Sequence, residues 1–275
     1  MTKRNASRYP GIRSFERSEQ HLFFGRARET QALFEAVKVK PLTVLFSQSG
    51  IGKTSLLNAG LAPLLEQNGY LPIVIRLQDT SLSPVETLQR VLSPYLDREK
   101  LEQFGQQPYS LWEYVRACSF GERPVADSDT PVPAVPVLLF DQFEELFTHA
   151  AQARDALTMA LSDLLNERLP ERVREQLRQH PRAQRSDELL DWYTPLKIKI
   201  VFAIRADPWG AGNRWPPVRR CQVAVCASGW PRRSCGTARC VPMLIPSNQT
   251  PSGRGERNVC RENGRAVSQS NSGYP

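Results

Sequence analysis

Residues 44–57 read VLFSQSGIGKTSLL, an apolar run and a helical pattern joined by glycines, a lysine and a threonine. A phosphate-binding loop of the form G-x-x-x-x-G-K-[ST] needs this setting. Its backbone N–H groups curl around a β-phosphate while the next helix aims its N-terminus at the same anion. Gly50 and Gly52 permit the tight turns, Lys53 would reach the β- and γ-phosphates, and Thr54 would place its hydroxyl on Mg²⁺. Ser49, Gly50, Ile51, Gly52, Lys53, Thr54 and Ser55 are therefore the candidate nucleotide-binding segment. Ser47 stands where the pattern begins with glycine, and it must adjust the backbone if that position demands a positive φ. The competing reading is a strand-to-helix turn with an incidental lysine.

Outward from this loop the chain alternates apolar, β-rich runs with helical patterns. The runs are PLTVLF (41–46), LPIVIRL (71–77), VPVLLF (135–140) and KIKIVFAI (197–204). Helical patterns occupy 53–67, 84–96, 110–118 and 153–167, and 119–134, rich in Pro, Asp and Ser, reads as a loop. Short continuous apolar strands separated by helices predict an α/β fold with a parallel sheet covered on both faces.

A second motif, VLLFDQFEELF (137–147), delivers Asp141 to the C-terminal end of a buried strand, where ligands of parallel sheets collect. A carboxylate there can hold the Mg²⁺ that bridges the β- and γ-phosphates. Glu144 and Glu145 follow within one turn, and one of them could orient or deprotonate the attacking water. The alternative is a helix N-terminus decorated with acids, which the helix dipole favours. Arg205 leaves the fourth strand at the same edge, either to sense a γ-phosphate or to pair with Asp207.

These pieces together resemble the STAND class of P-loop NTPases, in its bacterial novel-STAND group. YPGIRSFERSEQHLFFGRARET (9–30) is similar to that group's opening, and SGIGKTSLLNAGLAPLL and LLFDQFEELFT to its two nucleotide motifs. The likeness covers about 8–207. It implies a three-layer P-loop sandwich of the additional-strand kind, with five parallel strands, and an ATP-controlled signalling switch with slow Mg²⁺-dependent hydrolysis coupled to oligomerisation; a cytoplasmic location is the default for a sequence in which neither a membrane-length apolar run nor a signal-peptide core is read. It also implies that Gly25 and Arg26, with Glu29, lie near the adenine, and that Arg205 is a sensor arginine. ATP and Mg²⁺ are the cofactors implied, and a homo-oligomer or a signalling protein the partner.

After Asp207 the grammar changes. Residues 206–275 contain 10 Arg, no Lys and 3 acids, a net of +7, so the other 205 residues carry +8 − 7 = +1. A nearly neutral body argues against nucleic acid as a partner. No run approaches the roughly 18 apolar residues of a membrane helix. Leu occurs eleven times in 51–100 and once in 206–275. The domains read as a shortened NTPase core at 1–207 and an irregular basic tail at 208–275, disordered or translated out of frame. Cys221, Cys226, Cys235 and Cys240 give C-x4-C-x8-C-x4-C, a spacing for which a zinc site is conceivable, although no histidine accompanies it in the tail. Without a fifth strand, the strand at 41–46 would keep an exposed edge. The competing functional reading is a non-catalytic nucleotide-binding remnant or scaffold.

Overall fold

The computed structural model describes residues 11, 13–105, 107–125, 128–166, 169–179 and 191–205, together with the backbone of 222–225 and 241–243. The described residues lie within one unit, Met1–Ile245. The elements in chain order are α1 (Ala27–Val39), β1 (Leu42–Ser47), α2 (Lys53–Ser55), a π-helical turn (Leu56–Leu61), α3 (Ala62–Gln67), β2 (Tyr70–Ile75), α4 (Pro84–Leu92), α5 (Arg98–Glu102) and α6 (Leu111–Ala117). They continue with β3 (Glu122–Val125), β4 (Ser128–Pro133), β5 (Val135–Phe140), a 3₁₀ segment (Phe143–Thr148), α7 (Ala151–Leu165), α8 (Glu171–Gln179), β6 (Lys199–Arg205), β7 (Gln222–Val225) and β8 (Val241–Met243).

The main sheet has the order β2-β5-β6-β1-β7-β8. Its first four strands are parallel throughout. β6 is inserted between β1 and β5, the additional-strand arrangement that the family resemblance implies. The two faces are written in a period of two along each strand. Leu138, Phe140, Ile200 and Phe202 belong to one buried cluster, with Leu88, Leu92, Trp112, Val115, Leu157 and Leu161 from α4, α6 and α7. Val137, Leu139, Val201 and Ala203 belong to the other, with Leu33, Phe34 and Val37 of α1 and Leu56, Leu57, Leu61 and Leu65. Helices thus cover both faces, giving the three-layer α/β architecture. Two of the helices begin with reciprocal caps: Ser83 with Glu86 at α4, and Ser110 with Glu113 at α6.

Three expectations change. The stretch at 119–134 is not a plain loop, because β3 and β4 pair as an antiparallel hairpin with a register shift between Arg123 and Val125. Its Pro and Asp content reads as loop, yet a two-stranded ribbon at a surface tolerates both. Second, the parallel part has four strands where the resemblance implies five, in line with the four apolar runs and the missing fifth strand read from the sequence. Third, the free edge of β1 is occupied: β7 pairs antiparallel to it, Thr43 opposite Val225 and Phe46 opposite Gln222, and β8 pairs with β7. An open row of N–H and C=O groups recruits a β-capable segment, and Gln222–Val225, with two β-branched valines, supplies one. The remaining readings of the tail, its cysteines included, lie outside the described residues. So does Asp207. No helix among the described residues is long and apolar enough to cross a membrane.

Candidate functional site

The C-terminal ends of β1, β5 and β6 meet at one edge of the sheet, and the polar residues of both motifs converge there. Gly50 (φ 76°) and Gly52 (φ 83°) adopt the left-handed backbone that the loop 48–52 requires. Ser47 does not. It is the last residue of β1, fully buried, in register with Arg205, and among the described non-glycine residues only Gln142 has a positive φ. The serine therefore costs the loop no backbone strain. Its hydroxyl donates to Gln48 O at 3.2 Å and accepts from Lys53 Nζ at 3.3 Å.

Lys53 folds over the loop, its Nζ donating to Ser47 O and Gln48 O, each at 3.0 Å. Thr54 reaches across to the second motif. Its hydroxyl lies 2.9 Å from Asp141 Oδ1 and 3.1 Å from Oδ2, joining residues 87 positions apart. Asp141 is 2 % exposed, and its backbone N–H donates to Ile75 O at 3.0 Å. Ser55 faces away from this point: its Oγ accepts the Phe15 N–H at 3.1 Å and ties the N-terminal segment to the helix. Ser49 and Ile51 lie on the loop itself, Ser49 exposed and Ile51 partly covered.

Arg26 sits against the loop. It pairs with Glu29 and donates from Nη1 to Ile51 O at 2.5 Å, and a Cβ on Gly52 would lie 3.4 Å from the same nitrogen. Gly25 (φ 84°) makes the left-handed turn that leads into α1.

The two acids after Asp141 part company. Glu144 Oε2 accepts the backbone N–H of Arg205 at 3.0 Å, tying the 3₁₀ segment to the end of β6, while the Arg205 side chain is exposed. Glu145 is half-buried. Its Oε1 accepts from Gln78 Nε2 at 3.1 Å, and its Oε2 is buried with no hydrogen-bond partner among the described residues. Burial pushes its carboxyl above the ordinary range; Glu144 and Asp141 push the same way, while the Gln78 hydrogen bond and Arg76 oppose them.

Three residues here were not singled out from the sequence. Arg76, just beyond β2, donates from Nη2 at 2.7 Å and Nε at 3.2 Å to Asp141 Oδ2. Gln78 donates to Gln142 Oε1 at 3.0 Å as well as to Glu145. Gln142 itself takes a left-handed conformation (φ 56°) at the turn after β5, a position at which non-glycine residues are uncommon. The signal that found Asp141, a polar residue closing an apolar run, is also present at Arg76 in LPIVIRL.

Thr54 and Asp141 offer hard oxygen donors, the type Mg²⁺ takes alongside water and phosphate oxygens. The partnerless Glu145 Oε2 at the same strand end fits a site completed by a ligand. No cluster of three His, Cys, Asp or Glu side chains suited to a metal occurs among the described residues.

Comparison with known proteins gives two findings. The model of the family described as Novel STAND NTPase 1 matches residues 9–221. Among solved structures, the Walker-type ATPase of Pyrococcus abyssi is similar at 18 % identity with a TM-score of 0.38, over 70 % of this chain and 47 % of that one. This chain thus spans about half the length of that protein. A search of the curated proteins finds no match.

Proposed function

The chain belongs to the Novel STAND NTPase 1 family, and from that premise we propose that it binds ATP with Mg²⁺ at the edge formed by β1, β5 and β6, hydrolyses it slowly, and acts as a nucleotide-dependent signalling switch. The observation that carries this reading is the Thr54–Asp141 hydrogen bond. It brings the hydroxyl of one motif and the carboxylate of the other to a single point beside the phosphate loop.

Each residue then has a task. The N–H groups of 49–54 and the helix N-terminus hold the β-phosphate. Lys53 exchanges the carbonyls of Ser47 and Gln48 for phosphate oxygens. Thr54 and Asp141 would hold Mg²⁺, which would supply positive charge to offset that of the phosphates. Glu145 is the better of the two acids for positioning water, because its Oε2 is unengaged and its raised proton affinity suits a base. Glu144 holds Arg205 through the backbone, which links the end of β6 to the same segment and gives a γ-phosphate sensor a mechanical connection. Arg26 steadies the loop at Ile51, and with Gly25 borders the side where a base would lie.

The test is ATP binding and turnover by the wild type, Lys53→Ala and Glu145→Gln. Binding should fall at least about tenfold in Lys53→Ala, the loss of one charge-assisted phosphate contact, and persist in Glu145→Gln while turnover drops. Equal binding by wild type and Lys53→Ala refutes the reading. Binding with no turnover in the wild type favours the non-catalytic scaffold.

A further inference from the structure

We propose that Arg76 is a residue of the metal site: it is the counter-ion of Asp141 in the nucleotide-free protein and opposes Mg²⁺ at that carboxylate, so that the site engages Mg²⁺ effectively only together with nucleotide. The proposal rests on the reading of Thr54 and Asp141 as the metal-holding pair.

Asp141 is 2 % exposed, and an ionised carboxylate that deeply buried needs a cation or a full set of donors. Arg76 supplies the cation. Both of its donors converge on Oδ2, Nη2 at 2.7 Å and Nε at 3.2 Å, whereas Oδ1 takes the Thr54 hydroxyl at 2.9 Å. A divalent ion sharing this carboxylate meets a guanidinium already on one of its oxygens, and two cations a few ångströms apart in a partly dry site repel. The Arg76 side chain is 44 % exposed, so its head has water to move into when it releases Oδ2. The arginine is thus held tightly enough to neutralise Asp141 and is placed to leave. Mg²⁺ arriving with ATP brings phosphate anions that offset the repulsion; Mg²⁺ alone does not. Arg76 is a positioning residue in this scheme, since it acts on the metal through Asp141.

A purely structural ion pair makes a different prediction. Removing it would lower stability and leave the metal dependence of nucleotide binding unchanged. The experiment measures the affinity of the full chain for N-methylanthraniloyl-ATP in excess Mg²⁺ and in EDTA, for wild type, Arg76→Gln and Arg76→Lys. It also measures melting temperature against Mg²⁺ alone. The ratio of the dissociation constant in EDTA to that in Mg²⁺ should rise about fivefold or more in Arg76→Gln, through loss of the competing charge. Mg²⁺ alone should raise the melting temperature of that variant and not of the wild type. Arg76→Lys keeps the charge and loses the two-pronged grip, so its ratio should fall between the two; this variant serves if Arg76→Gln does not fold. A ratio equal to or below that of the wild type in whichever variant folds overturns the proposal. If the wild type binds the probe in neither buffer, the nucleotide reading itself fails, and the inference with it.

Discussion

Glu145→Gln separates function from stability by the opposite signs of its effects. In the folded chain Glu145 Oε1 accepts from Gln78 Nε2, Oε2 is buried without a partner, and Glu144 and Asp141 are close enough to disfavour its charge. Its carboxyl therefore titrates above the ordinary range when folded and within it when unfolded. A raised folded value means that the unfolded chain gives up the proton first as pH rises, so stability is lost from about pH 4 upward. Glutamine removes that loss. Glutamine keeps a polar atom at the buried Oε2 position and removes only the charge, the part that makes such an atom cost more than the usual figure of about 1–3 kcal/mol. Glu145 is only half-buried, so the gain should be about 1 kcal/mol at pH 7.5 and close to zero near pH 4. In a domain of this size that is a rise of roughly 2–4 °C in melting temperature. ATP turnover should meanwhile fall by about 10²–10⁴, the usual contribution of a positioned base. Thermal unfolding from pH 4 to 8 with a phosphate-release assay reads both. A variant that is less stable at pH 7.5, or equally shifted at all pH values, refutes the electrostatic reasoning. Unchanged turnover refutes the assignment of Glu145.

Other outcomes follow from the packing. A Cβ on Gly60 would lie 2.7 Å from Thr30 Oγ1 and 3.2 Å from Phe23, so Gly60→Ala should destabilise by about 1–3 kcal/mol in urea unfolding, with Thr30→Ala restoring most of it. Glu113 is 1 % exposed and held by Arg172 at 2.8 Å on both oxygens; Arg172→Met should cost about 2–4 kcal/mol, somewhat below a fully buried pair because Arg172 is 35 % exposed. Burial pushes the Cys118 thiol up to about 12, so peptide mapping after iodoacetamide at pH 8 should find Cys118 unmodified in the folded chain and modified in urea.

The parallel core was legible because its strands are short and apolar on both faces, a pattern that little besides a sheet covered by helices on each side produces. Thr54 and Asp141 were legible because each follows such a strand and the chemistry of phosphate binding asks for both. The different partners of Glu144 and Glu145 were not, since one turn after a strand the side-chain directions depend on the backbone. Gln142, in the left-handed conformation, stands at that turn. Arg76 was not singled out, because the ion pair it makes spans 65 positions. Ser55 looked like part of the phosphate loop, yet its hydroxyl serves Phe15, 40 residues earlier. β7 was invisible because four residues of QVAV carry no helical or strand period of their own; the unpaired edge of β1 gives them their structure.

The place of β6 has a metrological meaning. With β6 between β1 and β5, the phosphate loop and Asp141 start from strands two spacings apart, about 9–10 Å, a distance fixed by backbone hydrogen bonds. Side chains in the two cores can be exchanged without changing that gauge, because ladder spacing does not depend on what the strands carry. Arg205, leaving from the middle strand, stands at the midpoint of the gauge. Any ligand that spans from the loop to Asp141 therefore passes the end of β6.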